Sequence, residues 1–168
     1  MNAVNFEILG IHAGWFDVKF VSNDKQVVIS VSDAWGNDSP LYFLKMVLRM
    51  LNNEIESGYV VFDEEPGTYI VCLETSDDVK LSVLFSNLDD DEWKVIELYG
   101  ELSRQEIENV ITDTEELFVT SGFEIESFAR TILRGFEEWK SDLKIREYEE
   151  NWMEFPEKEV CELRRMLY

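Results

Sequence analysis

The chain has 168 residues, 45% of them hydrophobic, and carries 36 acidic against 15 basic side chains for a net charge of -21. That length suits one domain over residues 1–168 with a sizeable core, and the apolar content excludes a disordered polyanion. No cluster of Lys and Arg could gather phosphates, which argues against nucleic acid as a partner, and no apolar run reaches the roughly 18 residues a bilayer span needs.

The start, "MNAVNFEILGIH", lacks the basic lead and apolar stretch of a secretory signal. Cys72 and Cys161 form no CxxC pair and are read as buried, reduced thiols, so a cytoplasmic location is the default expectation. "GWFDVKF" (14–20) and "QVVISVSD" (26–33) alternate apolar and polar residues, as antiparallel strands with one wet face do. The "SNDK" between them supplies a hairpin turn. "WGNDSP" (35–40) is then a loop, with Ser39 as N-cap and Pro40 at the first position of a helix over 40–54. Leu44, Val47, Leu48 and Leu51 give that helix its core face.

"YVVFDEE" (59–65), "TYIVCLE" (68–74) and "VKLSVLFS" (79–86) are strands joined by turns at Pro66-Gly67 and "TSDD". After the acids Asp89 to Glu92, "WKVIELYG" (93–100) is expected to be another strand. Ser103 and Glu106 have capping-box spacing for a short helix, and "ELFVT" (116–120) fits a last strand. A helix over 124–143 follows, with Phe128, Ile132, Leu133 and Phe136 in the core. "IREYEENW" (145–152) is charged and exposed or a connector, and Pro156 opens a terminal helix. The fold class is therefore α+β: an antiparallel sheet of about six strands, with helices packed on one face.

The charge is lopsided. Residues 1–53 hold 5 acids and 4 bases, residues 127–168 hold 10 and 8, and residues 54–126 hold 21 and 3, a net of -18 in that one stretch. Salt adaptation would spread acids along the whole chain. A concentrated negative field instead steers cationic partners, typically raising association rates 10- to 1,000-fold at low salt.

The acidic run is a poor calcium loop. Counting from Asn87, the sixth position is Glu92 where glycine is needed, and the twelfth is Leu98 where a bidentate Glu is needed. A looser hard-cation site at Asp89 and Asp91 competes there with a solvated Asp-rich turn. His12 is the sole histidine, which leaves little for a zinc cluster or a Ser-His pair, and it is read as a strand-end residue. Adjacent carboxylates such as Glu64-Glu65, Asp77-Asp78 and Glu137-Glu138 are too numerous for any one pair to stand out as catalytic. No cofactor or metal site is expected.

The run "SVSDAWGNDSPLYFLKMVLRML" to "FDEEPGTYIVCLE", with "SFARTILRGF" (127–136) and the later Trp152, Phe155 and Pro156, resembles a family of small, largely uncharacterised bacterial α+β proteins. Size, composition and build are also similar to immunity proteins of bacterial toxin systems. That resemblance implies a non-enzymatic inhibitory protein that meets a basic protein, a toxin or a nucleic-acid-binding protein. Asp63, Glu64, Glu65, Asp89, Asp90, Asp91 and Glu92 are the candidate contacts, with Trp93 as an aromatic anchor or a core residue. The alternative is a carboxylate-based hydrolase or small-ligand binder with a cleft on the open sheet face. Acids converging in a concave, partly apolar pocket would favour it, whereas acids fanned over a convex surface would favour the inhibitor. A third reading, an accessory or assembly subunit, would show a large exposed apolar patch on the second or last helix.

Overall fold

The computed structural model describes residues 2–168. The α+β class holds, with helices and antiparallel strands in nearly equal share, but the strands divide between two sheets. The first contains β1 (Val4–His12), β2 (Trp15–Ser22) and β3 (Lys25–Ser32) in that order. Alternation puts Phe6, Ile8, Phe16, Val18, Phe20, Ile29 and Val31 on its buried face. The expected hairpin closes with Ser22 opposite Lys25.

The chain then enters α1 (Ser39–Leu51), and β4 (Ser57–Asp63) starts a new sheet with β5 (Thr68–Glu74) and β6 (Lys80–Ser86). With β7 (Tyr99–Gly100) and β8 (Glu115–Ser121) the order is β7-β4-β5-β6-β8. A single six-stranded sheet is thus replaced by sheets of three and five strands, each offering its own apolar face to a shared core. Asp38, not Ser39, caps α1: its Oδ1 accepts from Leu41 N at 3.3 Å, while the Ser39 hydroxyl turns to Val61 O at 2.6 Å.

The main core joins both sheets to α1, α3 (Ile125–Glu137), α4 (Asp142–Asn151) and α5 (Glu157–Leu167). α1 packs on β4, α3 on β1, and α5 touches both helices. The expected core residues of α1 and α3 are buried there, except that Leu51 is only partly covered. Phe6, Phe20, Phe43 and Phe128 form a ring cluster with centroid separations of 5.6–6.3 Å. Burying each such side chain stabilises the fold by about 1.5–3 kcal/mol. The free edge of β1 is sealed at Phe6, whose N–H donates to Thr131 Oγ1 of α3 at 3.1 Å.

The expected helix over 124–143 stops at Glu137. Ser141 caps α4 instead, accepting from Lys144 N, and the intervening Trp139 turns into the core. Residues 145–152 are accordingly no connector, since they lie in or directly after α4 and Tyr148 is fully buried against Phe16, Trp139 and Phe155. His12 ends β1 and is exposed, with Nδ1 4.0 Å from Asp17. Cys72 is buried as expected, whereas Cys161 is exposed beside Glu157 and Lys140 on the outer face of α5. Among the described residues, no helix is long and apolar enough to cross a membrane.

The acidic stretch builds the five-stranded layer. One face of that sheet joins the main core through Val60, Phe62, Val71 and Leu81. The other face, with Tyr59, Val61, Ile70, Cys72 and Leu84, is covered by the excursion 87–113 between β6 and β8, through Ile96, Ile107 and Ile111. Ile107 comes from α2 (Arg104–Val110), whose Ser103/Glu106 capping box forms as the spacing predicts. "WKVIELYG" is not a strand. Trp93 and Ile96 lie on one helical turn, and only Tyr99 and Gly100 pair with β4.

Candidate functional site

Three connections meet at one end of the five-stranded layer, because β3, β4 and β6 all finish there and β5 begins there. They are the β3–α1 loop, the β4–β5 turn and the helical turn after β6. Together they enclose a cleft of about 530 Å³, within the 300–1,000 Å³ range of ligand sites. The first contributes Trp35 and Asn37, the second Asp63, Glu65, Pro66 and Thr68, and the third Asp90, Trp93 and Leu98. Among the described residues no Lys or Arg lines it.

Asp63, the last residue of β4, forms part of the floor at 8% exposure. Its Oδ1 accepts two long hydrogen bonds, from Glu65 N at 3.4 Å and Thr68 Oγ1 at 3.5 Å. Among the described residues none reaches Oδ2. Burial raises the pKa of this carboxyl above its ordinary 3.8, helped by the nearby Glu65 charge, with the Glu65 amide and Thr68 hydroxyl acting in the opposite sense. Glu65, at the rim, has a left-handed φ of +43° and accepts from Trp35 Nε1 at 2.5 Å. Trp35 is otherwise 72% exposed, and an indole left in water over a cleft is unusual for so large an apolar ring. The turn stays tight because Gly67 lies under the Phe85 ring, where an added Cβ would come within 2.3 Å.

The acidic run is a self-capped helical turn. Asp89 Oδ1 accepts from Asp91 N and Glu92 N at 2.9 and 2.8 Å, while Glu92 Oε2 accepts from Asp89 N at 3.0 Å. Glu92 Oε1 takes the Thr112 amide and hydroxyl, both at 2.9 Å, tying this turn to the end of α2. These bonds, the Thr112 amide foremost, hold the Glu92 carboxyl below its ordinary range. Asp91 pairs with Lys94 at 2.7 Å. Glu64 faces away from the cleft toward Tyr69, whose hydroxyl is pushed up to about 12 by burial and by that acceptor.

The eight expected contact residues therefore divide. Asp63, Glu65, Asp90 and Trp93 converge in the cleft, and Trp93 also packs against the outer-face cluster. Glu64, Asp89, Asp91 and Glu92 do not line it, and the last three maintain the turn that presents Asp90. Trp35, Asn37 and Thr68 were not foreseen; the sequence signal was a tryptophan beside glycine in a polar loop, where a core role is hard to satisfy.

No family model, curated protein or solved structure matches the chain. The site must be read from its own chemistry. Among the described residues no three His, Cys, Asp or Glu side chains group closely enough to hold one metal ion. Of the 21 acids in residues 54–126, five are in ion pairs among the described residues: Glu54, Asp91, Glu101, Glu108 and Glu116. The remaining carboxylates leave this layer strongly anionic. Arg104, 16% exposed in its side chain, meets Glu108 at 3.0 Å and Glu116 at 2.5 Å and so spends its charge inside the layer.

Proposed function

We propose that this protein is a non-enzymatic, acidic binding protein of the inhibitory, immunity type, acting in a bacterial cytoplasm on a basic protein partner. The observation that carries the reading is the uncompensated charge of the five-stranded layer, where among the described residues only Glu54, Asp91, Glu101, Glu108 and Glu116 of its acids are in ion pairs. The cleft at its end adds Asp63, Glu65 and Asp90 beside two tryptophans, with no Lys or Arg in the lining among the described residues. Such a site disfavours anions and offers a cation both charge and aromatic surface. The anionic layer around it supplies the long-range attraction that brings a basic partner to this end of the sheet.

Convergence of three acids in a partly apolar cleft also supports the second reading, a small-ligand binder or hydrolase. Asp63, a buried carboxyl that holds its proton more readily than usual, has the character of a general acid. The binding reading is preferred because the acids outside ion pairs among the described residues extend over the whole layer, well beyond Asp63 and Glu65 of the β4–β5 turn and Asp90 of the turn after β6.

The test is to purify the protein's complexes from its own cell at low and at moderate salt, with the wild-type chain and with D63N/E65Q/D90N. We expect a basic protein to be retained at low salt, weakened by moderate salt and lost from the triple variant. Absence of any basic partner at both salts, or its full retention by the triple variant, would refute the reading.

A further inference from the structure

We infer that the cleft is an arginine-side-chain receptor, which captures one guanidinium of the basic partner between Trp35 and Trp93, over Asp63. The inference rests on the binding reading above and specifies what that site takes.

Four features favour a guanidinium over other occupants. First, the carboxylates of Asp63, Glu65 and Asp90 come from three different positions around one cavity and form no ion pair among the described residues. A neutral ligand such as a sugar would leave that charge uncompensated, whereas a cation offsets it. Second, these carboxylates do not group tightly enough for a metal ion, so the cation must be extended and must reach several acceptors at once. A guanidinium has five N–H donors in one plane and does so; an ammonium is a compact point charge.

Third, the two indoles suit a flat, weakly hydrated cation, which stacks on aromatic rings more readily than the strongly hydrated lysine head. Trp35 is already steered by its hydrogen bond to Glu65, so one wall of the receptor is prepared before binding. Fourth, Asp63 is nine-tenths buried yet poorly served: two long bonds at Oδ1 and none at Oδ2 among the described residues. Oδ2 is not among the buried atoms left without a partner, so it stays open to solvent at the cleft floor and can accept from an incoming donor. A bidentate N–H pair would provide one.

The test uses small probes: Nα-acetyl-arginine-amide, the matching lysine amide, the neutral citrulline amide and a short chito-oligosaccharide. Each is titrated into uniformly 15N-labelled protein while the indole N–H signals are followed. The arginine probe should shift the Trp35 and Trp93 signals saturably in the millimolar range, about tenfold more tightly than the lysine probe. Citrulline and the saccharide should leave both signals in place. D63N and D90N should each weaken the arginine response several-fold, whereas D77N, at the opposite end of the sheet, should not.

Equal responses to arginine and lysine, a response to citrulline, or no response up to about 50 mM would overturn the inference. So would a preference for the saccharide, which would mark the cleft as a sugar site. If the probes fail while a basic protein still needs the cleft carboxylates, the receptor falls and the binding reading stands. If no basic protein binds either, both fall.

Discussion

Replacing Ile107 with alanine should lift the cover from the outer face of the five-stranded sheet before the rest of the fold is lost. α2 has seven residues and one buried side chain, Ile107 at 0% exposure, and a helix so short does not persist on its own. Truncating a fully buried isoleucine to alanine costs about 2–5 kcal/mol. A value near 3 kcal/mol is expected here, because strands fix Leu84 and Ile70 beneath the vacated space while Ile96 and Ile111 lie on loops that can settle. Cys72 belongs to the same cluster at 1% exposure, its thiol pushed up to about 12 by burial, so it is unreactive while covered. In a C161S background, labelling by a soluble disulfide reagent therefore reports opening of the cover. About 3 kcal/mol corresponds to roughly 150-fold faster labelling, and urea unfolding followed through the main core should lose less than this. An unchanged Cys72 labelling rate in I107A would refute the reasoning, as would a wild-type Cys72 that reacts as fast as Cys161.

Thr131→Val keeps the shape of its side chain but strips the buried Phe6 N–H of its acceptor; a loss of about 1–3 kcal/mol in chemical denaturation is expected, with raised amide exchange at Phe6. Arg104→Met leaves Glu108 and Glu116 facing each other without their cation; because the site is only part-buried, about 1–2 kcal/mol should be lost, and a double-mutant cycle with E116Q should show coupling that shrinks in high salt. The two shifted carboxyls should give opposite pH signatures. Glu92, held below its ordinary 4.5 in the folded protein, contributes stability that is full above that value and lost as pH falls through the folded value, so E92Q should be destabilised near neutrality and match wild type in acid. Asp63, raised above 3.8, makes the folded state lose stability as pH rises through that window. D63N should therefore gain on wild type from acid toward neutral pH in urea titrations, and the opposite trend would overturn the burial argument.

Legibility in the sequence followed how local the deciding contacts are. The β2–β3 hairpin, α1, β5, β6 and the Ser103/Glu106 capping box depend on neighbours a few residues apart, and each forms where its pattern lies. "VNFEILGI" alternates only through Val4, Phe6 and Ile8; the strand then shifts register between Ile8 and Gly10, with Leu9 exposed and Ile11 buried, so the alternating run of β1 is shorter than that of β2. "WKVIELYG" misled because Trp93 and Ile96 satisfy a helical turn as well as an alternating strand. The choice is made by Asp89 and Glu92, whose side chains cap each other's amides. The break between α3 and α4 was signalled by Ser141-Asp142, an N-cap and first-turn acid, but the apolar spacing through Trp139 and Leu143 masked it. For the site, composition located the acidic stretch. Which carboxylates meet depends on three loops more than twenty residues apart, and nothing local ties Trp35 to Glu65 or Asp90.

The excursion 87–113 leaves from β6 and returns to β8, its immediate neighbour, and the Ser86 hydroxyl clasps the Asp113 carbonyl at 2.7 Å where the two feet meet. A segment anchored at adjacent points can be rewritten as a cassette. So long as it keeps an oily underside for the sheet and the Tyr99–Gly100 pairing with β4, the length and outward chemistry of the rest can change without altering the register of β4, β5, β6 and β8 or the main core. In this architecture the part of the surface carrying Asp90 and Trp93 can change its outward chemistry while the scaffold beneath stays constant.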